Sequence, residues 1–327
     1  ETPDYCERGA ILTFEEIARV VQIAVELGVD DVRLTGGEPL MRSQLHKLVS
    51  AINAIEGVRK LSLTTNGILL SEQLPALYAA GLRSVNVSLD ALDEASFVEA
   101  TRRPGLQRVL GAIGACRTMN VRVKINAIAM RGFTERQIVA FGEFARSTEI
   151  PIRFIEFMPL DSSRAWQLDH VVRGSEILER LKARFELVPV DNTSNPSETA
   201  RRWRFADGRG EIGIIAPVSQ PFCGHCNRIR LTADGKIRTC LFSLHEHDLK
   251  PQPGLLQERL DRQKEDLDQV LFVEHGHDQR QQWIGRPAHA LHRELALEGR
   301  RRLDRNGEGR IGHDLQIIRH FLDDPLE

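Results

Sequence analysis

The structural unit of this chain is clearest in one run of eight residues, Val32-Arg33-Leu34-Thr35-Gly36-Gly37-Glu38-Pro39. Alternating apolar and polar residues predict a strand over 32–35, and the two glycines followed by Glu38-Pro39 predict a turn at its carboxyl end. Helical periodicity follows at about 45–56. The unit is therefore strand, turn and helix, which is typical of parallel α/β folds.

The same unit repeats along the first half of the chain. Thr13 and Glu16 form a capping box, which predicts that a further helix begins there. Other predicted strands are 61–64, 85–88, 123–126 and 152–156, and other predicted helices are about 72–80, 106–119, 135–148 and 174–185. Parallel strands need crossover connections, so the units form either an open doubly wound sheet or a (β/α) barrel. In both folds, ligands bind at the carboxyl ends of the strands.

The rhythm changes after about residue 160. Strands at 202–205 and 212–215 follow a polar connector and one helix, which predicts a second, smaller module. Past about 252 the tail is rich in Arg, Gln and His and contains no motif. We therefore predict a partial barrel over 1–160, a C-terminal module over 161–252 and a divergent tail over 253–327.

The charge balance excludes some classes of partner. The 327 residues contain 44 Lys and Arg against 46 Asp and Glu, which gives a formal net charge of -2. Without a global positive field we expect no nucleic acid and no anionic membrane as partner, so an anionic ligand must be held by local groups. No apolar run reaches the roughly 18 residues of a membrane helix, and no signal peptide pattern opens the sequence, so we expect a cytoplasmic protein.

Three cysteines form a candidate metal site. Cys223-Gly224-His225-Cys226 and Cys240 have the spacing C-x2-C-x13-C, and Cys240 lies at the end of a predicted hairpin through Asp234-Gly235. Thiolates with this spacing can converge on a soft metal. The spacing leaves three alternatives open: an iron-sulfur cluster with one iron unligated by cysteine, no metal, or a zinc ion. A zinc site would take its fourth ligand from His225, His245 or His247.

Several Arg and Lys residues on predicted strands are candidate ligands for an anion. Arg228 and Arg230 alternate on a predicted strand, so both guanidiniums face one side and favour an anion beside the cysteine site. Arg33, at the end of its strand, and Lys124 and Arg153, within theirs, add cations that can reach a polyphosphate in a barrel mouth. The sequence lacks the G-x-x-x-x-G-K-[ST] motif, which excludes a P-loop nucleotide site.

Together these motifs resemble one family, the GTP 3',8-cyclases, which are radical SAM enzymes also called molybdenum cofactor biosynthesis protein A. The resemblance runs in order from about residue 11 to 252 and rests on Arg33 to Leu40, Thr64-Thr65-Asn66-Gly67, Ser88-Leu89-Asp90, Phe157-Met158-Pro159 and the cysteine motif followed by Asn227-Arg228-Ile229-Arg230. It implies an α/β fold, an incomplete (β/α)6 TIM-like radical SAM barrel with a smaller C-terminal iron-sulfur module.

The resemblance also implies roles for individual residues, although it assigns no catalytic residue. The implied S-adenosylmethionine contacts are Gly36, Gly37, Glu38, Ser88 and Met158. The implied GTP contacts are Arg33, Thr64, Lys124, Arg153, Arg228, Ile229 and Arg230. The implied ligands of a second 4Fe-4S cluster are Cys223, Cys226 and Cys240.

The reaction implied by the family is a radical cyclisation. A 4Fe-4S cluster reduces S-adenosylmethionine to a 5'-deoxyadenosyl radical, which takes a hydrogen from the ribose C3' of GTP. C3' then closes onto C8, giving 3',8-cyclo-7,8-dihydro-GTP in the first step of molybdopterin synthesis. The implied partners are cyclic pyranopterin monophosphate synthase as the downstream enzyme and an electron donor, with a homodimer as one possible assembly. The alternative is a non-catalytic, metal-stabilised GTP-binding module.

Two departures from the family pattern affect this interpretation. The family's first motif, C-x3-C-x2-C, which holds the first 4Fe-4S cluster, is absent from these 327 residues. We interpret the sequence as an N-terminally truncated fragment whose first barrel strand is missing. The tail ends at Asp323-Asp324-Pro325-Leu326-Glu327 instead of the family's Gly-Gly, which indicates a foreign extension or a shifted reading frame.

Overall fold

The computed structural model describes residues 8–160, 166–191, 197–243 and 245–250, without the side chains of Arg8 and His225. The described residues from 8 to 221 form one compact unit, and those from 222 to 250 form another. In the described ranges, no helix has the length and apolar character needed to cross a membrane. The predicted boundaries at 160 and 252 stay predictions, and the predicted tail lies outside the described residues.

The larger unit contains seven α-helices and eight strands in its described ranges. The helices are α1 (Phe14–Glu26), α2 (Leu45–Asn53), α3 (Leu70–Ala79), α4 (Glu94–Thr101), α5 (Leu106–Thr118), α6 (Ile138–Thr148) and α7 (Gly174–Lys182). The strands are β1 (Asp31–Leu34), β2 (Lys60–Thr65), β3 (Ser84–Ser88), β4 (Arg122–Ala129), β5 (Ile152–Glu156), β6 (Leu187–Val190), β7 (Arg201–Phe205) and β8 (Glu211–Ile215).

These strands form one sheet in the order β1-β2-β3-β4-β5-β8-β7-β6. Neighbours from β1 to β5 and the pair β5 and β8 are parallel, whereas β6, β7 and β8 pair antiparallel. A doubly wound sheet reverses its strand order at a switch point. The first five strands instead follow chain order without reversal, so their crossover helices lie on one face, as in a (β/α) barrel.

The apolar core lies between this sheet and its helices. Leu63, Val85 and Ile125 alternate with polar neighbours along their strands, and their side chains and that of Phe154 are each at most 1% exposed. The predicted capping box at the start of α1 is confirmed: Glu16 N–H donates to the Thr13 hydroxyl, and the Thr13 N–H donates to the Glu16 carboxylate. The intervening residues of each strand therefore project from the other face of the sheet, which this core does not cover.

One α-helix and one strand of the larger unit escaped the sequence prediction. Helix α4 begins after Asp93, whose carboxylate accepts a hydrogen bond of 2.8 Å from the Ser96 N–H. This helix buries a single apolar side chain, Phe97, so its hydrophobic periodicity is weak. Strand β6 contains Pro189 and lies at the edge of the sheet, where a residue without an N–H donor is tolerated.

The smaller unit contains a three-stranded antiparallel sheet of β9 (Arg230–Leu231), β10 (Lys236–Arg238) and β11 (His247–Asp248). The predicted hairpin through Asp234-Gly235 is confirmed, since β9 and β10 pair antiparallel across it. Glu246 bonds to both Lys236 and Arg238, and these ion pairs fix the chain after the hairpin against β10.

Candidate active site

A row of polar residues crosses five strands on the face of the sheet opposite the core. Register places Ser88 beside Asn126, Asn126 beside Arg153, Arg153 beside Gly213, and Gly213 beside Arg202. Residues that are paired across neighbouring strands project from the same face. The row therefore brings together side chains that are far apart in the sequence.

A second set of polar residues lies on the same face. Thr64 pairs with Asn86, and Asn86 pairs with Lys124. At the edge of the sheet, Arg33 pairs with Ser62, and its Nε donates to the Ser62 hydroxyl at 3.4 Å. When a parallel sheet is covered by apolar layers on both faces, the sequences of its strands are nearly continuous hydrophobic runs. The polar alternation of these strands instead indicates a ligand-binding face.

The glutamate of the Gly-Gly-Glu-Pro turn after β1 orders the turn through hydrogen bonds. The Glu38 carboxylate accepts hydrogen bonds from the Leu40 N–H at 3.0 Å, the Thr65 hydroxyl at 2.7 Å and the Asn66 N–H at 2.7 Å. Burial raises the pKa of Glu38, and these hydrogen bonds oppose the rise. Glu38 therefore orders the turn through contacts within the protein.

Gly36 leaves space for a ligand in the same turn. Its φ is +143°, a conformation that favours glycine, and no atom lies within 4 Å of the position that a Cβ would take. Backbone groups of the turn are therefore open to close approach. Gly37 follows in the same turn, and both glycines stay predicted contacts.

Asn126 has a buried acceptor without a partner. Its Oδ1 is buried and makes no hydrogen bond within the described part of the chain. An unsatisfied buried carbonyl oxygen carries a desolvation cost of roughly 1–3 kcal/mol, so such a group is a natural acceptor for a ligand hydroxyl or N–H. Ser88 lies next to Asn126 in register, so the two residues form one polar patch.

The cations of this face are partly desolvated. Burial, together with the nearby charges of Arg153 and Lys60, lowers the pKa of Lys124 to about 8. Burial, followed by the neighbouring Arg33, also lowers the pKa of Arg153. Desolvated cations that repel each other gain most from an anionic ligand. This face therefore suits a polyanion.

Asp90 lies two residues beyond the end of β3, and Glu156 is the last residue of β5. Burial raises the pKa of Asp90 to about 6, although its carboxylate accepts a hydrogen bond of 2.7 Å from the Ile128 N–H. Glu156 is fully buried and accepts hydrogen bonds from the N–H groups of Gly174, Val218 and Ser219 at 2.7 to 2.9 Å. Glu156 thus orders the loops after β5 and β8, and its hydrogen bonds are made within the protein.

Met158 follows β5 by two residues, at the predicted position beyond a strand end. Its carbonyl accepts a hydrogen bond of 2.8 Å from the Leu160 N–H, and the carbonyl of Phe157 accepts one of 3.0 Å from the Trp166 indole. These bonds give the segment a defined turn. The contact of Met158 with a cofactor stays a prediction.

The smaller unit contains the three cysteines of the predicted metal site as free thiols: Cys223, Cys226 and Cys240. Arg228 Nη2 lies 3.1 Å from Cys226 Sγ, and the buried Nε of Arg228 has no hydrogen-bond partner in the described residues. Burial, followed by the charge of Arg228, lowers the pKa of Arg230. The strand itself is limited to Arg230–Leu231, shorter than the predicted alternating run.

Three thiols suit an iron-sulfur cluster in their donor chemistry. In the ranges that the structure describes, however, no three His, Cys, Asp or Glu side chains converge closely enough to hold a metal ion. The cluster ligands therefore stay a prediction, as do the GTP contacts of Arg228, Ile229 and Arg230.

Comparison with known proteins identifies the family of this chain. The sequence profile of the Radical SAM superfamily matches residues 2–145, and that of Molybdenum Cofactor Synthesis C matches residues 150–280. A GTP 3',8-cyclase of Rhodopirellula baltica is 46% identical over 251 residues, which cover 76% of this chain and 70% of that protein. This chain belongs to the GTP 3',8-cyclase family. A GTP 3',8-cyclase of Alkaliphilus oremlandii is 39% identical and covers 76% of this chain and 78% of that protein.

Solved structures agree with the barrel. SuiB of Streptococcus suis bound to S-adenosylmethionine has a TM-score of 0.56 at 14% identity, covering 82% of this chain and 62% of that one. Native anSMEcpe with bound AdoMet has a TM-score of 0.55 at 14% identity, and the match covers 79% of this chain and 74% of that one. The match spans less than two thirds of the SuiB chain, and at this identity the likeness concerns the fold. The larger unit is a partial TIM-like radical SAM barrel.

Sequence reasoning missed several residues of the polar face. Asn126 follows Lys124 at the next position of the same parity, so strand alternation alone could have indicated it. Arg202 escaped attention because the strand that holds it is paired antiparallel with β8, next to β5, and a single sequence gives no sign of that placement. Asp90 lies in the Ser88-Leu89-Asp90 motif, but neither the motif nor the resemblance gives it a role.

Proposed function

We propose that this chain is the barrel and C-terminal module of a GTP 3',8-cyclase that converts GTP to 3',8-cyclo-7,8-dihydro-GTP in molybdenum cofactor biosynthesis. The family membership supports the activity, and the polar face of the sheet supports the substrate class. The observation that carries the proposal is the placement of Lys124 and Arg153 on one partly desolvated face.

GTP carries its charge on the triphosphate, and this face supplies the matching cations. We propose that Arg33, Lys124 and Arg153 bind the triphosphate, since charge-assisted hydrogen bonds to phosphate oxygens are strong and directional. Thr64 lies two positions after Ser62 on β2, so it projects from the same face and adds a hydroxyl donor. We assign further GTP contacts to Arg228, Ile229 and Arg230.

S-adenosylmethionine would be held at the carboxyl ends of the first strands. The open space at Gly36 suits backbone contacts to its methionine group, with Gly37 in the same turn and Glu38 ordering it. Ser88 suits ribose hydroxyls, as does the Oδ1 of Asn126, which makes no hydrogen bond to the described residues. When bound, a 4Fe-4S cluster and S-adenosylmethionine supply the reducing radical chemistry of the family.

Some expectations about partners belong to this proposal. We propose that Cys223, Cys226 and Cys240 hold a 4Fe-4S cluster, and that the product passes to cyclic pyranopterin monophosphate synthase. An external electron donor, a homodimer and a cytoplasmic location complete the proposal. The cysteines of this sequence, at positions 6, 116, 223, 226 and 240, contain no C-x3-C-x2-C motif, so we assign none of them to the cluster that reduces S-adenosylmethionine.

The experiment supplies that motif. A family N-terminal segment with C-x3-C-x2-C is joined to the chain, the fusion is reconstituted anaerobically, and 5'-deoxyadenosine and cyclised nucleotide are measured with GTP and dithionite. We expect GTP-dependent formation of 5'-deoxyadenosine by the fusion and none by a fusion whose motif cysteines are alanines. A fusion that binds GTP tightly without forming either product would instead favour the non-catalytic GTP-binding module.

A further inference from the structure

Glu198 joins two arginines of the polar face. One of its carboxylate oxygens lies 3.6 Å from Arg153 Nη2, and the other lies 3.1 Å from Arg202 Nε. The three side chains are 15 to 25% exposed, so this bridge is largely removed from water. Arg202 has a second carboxylate, Glu211, at 3.2 Å. Within the described residues, Glu198 is the carboxylate that forms an ion pair with Arg153.

A glycine makes room for this bridge. Gly213 lies between Arg153 and Arg202 in register, on the central strand of the three. A Cβ at Gly213 would lie 3.2 Å from Arg153 Cγ and 3.2 Å from Ala200 Cβ. The missing side chain therefore lets the stem of Arg153 lie across β8 toward Glu198.

Like charges around Arg153 explain why it needs this carboxylate. Arg33 and Arg202 both disfavour its charge, whereas Glu198 and Glu211 favour it. Without Glu198, the guanidinium would keep its repelling neighbours and lose the carboxylate that lies 3.6 Å from its Nη2. A guanidinium has five N–H donors in a planar fork. A carboxylate that pairs with one of its nitrogens therefore leaves the other N–H groups of the guanidinium available to a ligand.

We propose that Glu198 is a positioning residue that holds the guanidinium of Arg153 in the orientation required to bind the triphosphate. The name of the ligand rests on the proposed function, but the role of Glu198 requires only a polyphosphate anion. Glu198 does not touch the ligand and acts through Arg153.

A double-mutant cycle on the full chain tests this role. Inorganic tripolyphosphate and GTP are each titrated by calorimetry into the parent, Glu198→Gln, Arg153→Met and the double variant. We expect Glu198→Gln to weaken tripolyphosphate binding at least about fivefold in the parent and less than about twofold in the Arg153→Met background, since groups in one ionic network are coupled. Glu198→Asp keeps the charge and should recover part of the affinity. Glu179→Gln, on the exposed side of α7, removes a carboxylate elsewhere as a control.

Four outcomes would overturn the inference. Equal losses in the two backgrounds would show that Glu198 does not act through Arg153. Unchanged binding in Glu198→Gln would show that Glu198 does not position Arg153, and tighter binding would show that Glu198 merely repels the anion. A parent that binds no tripolyphosphate would remove the anion site altogether. If tripolyphosphate behaves as expected but GTP does not bind, the role of Glu198 stands and the proposed function fails.

Discussion

The carboxylate of Glu38 accepts a hydrogen bond of 2.7 Å from the backbone N–H of Asn66, which joins the turn after β1 to the turn after β2. The hydroxyl of Thr65 donates to the same carboxylate. In the primary structure these turns are separated by a helix and a strand. The glutamate of the Gly-Gly-Glu-Pro motif therefore fixes the spacing of two ligand-facing loops.

Replacing this carboxylate should destabilise the barrel. Glu38→Ala leaves the N–H groups of Leu40 and Asn66 and the Thr65 hydroxyl without their acceptor, and we expect a loss of about 3 kcal/mol in the free energy of unfolding. Urea unfolding monitored by circular dichroism measures it. Glu56→Ala, at an exposed position, should change stability by less than about 0.5 kcal/mol. Equal midpoints for Glu38→Ala and the parent would contradict the role of Glu38.

Asp90 should make stability depend on pH. Its pKa is raised from 3.8 to about 6 in the folded state, so between these values the folded chain holds more protons than the unfolded chain. This contribution to stability therefore falls as the pH rises from about 4 to about 6. Asp90→Asn removes the titration and keeps an acceptor for the Ile128 N–H. Relative to the parent, we expect the variant to gain about 2 kcal/mol between pH 4 and pH 7 in urea unfolding. A pH-independent difference would refute the burial of this charge.

Lys124 should give anion binding an alkaline limit. Its pKa is lowered to about 8, and the protonated amine binds phosphate, so affinity should fall as the pH rises through about 8. Lys124→Arg stays charged, and its affinity for tripolyphosphate should change little between pH 7 and pH 9. Calorimetry over this range compares the two proteins. The same decline in both would mean that Lys124 is not the titrating group.

The cysteine motif predicts the metal content. Anaerobic reconstitution should load about four irons and four sulfides per chain, because one cysteine triad is present in C-x2-C-x13-C. Changing Cys223, Cys226 and Cys240 to Ser should remove them, whereas Cys116→Ser should not, since Cys116 is buried in the core. Tightly bound zinc without sulfide would support the zinc alternative.

The first half of the fold was predictable because each strand alternates and ends in recognisable turn residues. The strand predicted at 152–156 matches β5, and that at 61–64 lies within β2. The prediction failed where local signals are weak, as in α4 with its single buried side chain. The choice between a barrel and a doubly wound sheet also needed strand order, which local periodicity does not contain.

The candidate site was predictable for residues inside motifs or with charges on strands. Lys124 and Arg153 could be found because cations within predicted buried strands are unusual. Their neighbours Glu198 and Arg202 could not, because the contact depends on β7 and β8 joining the sheet beside β5. The role of Gly213 could not be predicted from the sequence either, since that role is the space that the glycine leaves for Arg153.

Calorimetric titration of the full chain with GTP measures whether the cationic face of the sheet binds this nucleotide. The double variant Lys124→Met/Arg153→Met should bind GTP at least about a hundredfold more weakly than the parent, because each charged hydrogen bond contributes about 1.5 kcal/mol or more. Lys182→Met, at an exposed position of α7, should bind as the parent does. Equal affinities of the parent and the double variant would show that Lys124 and Arg153 do not bind GTP.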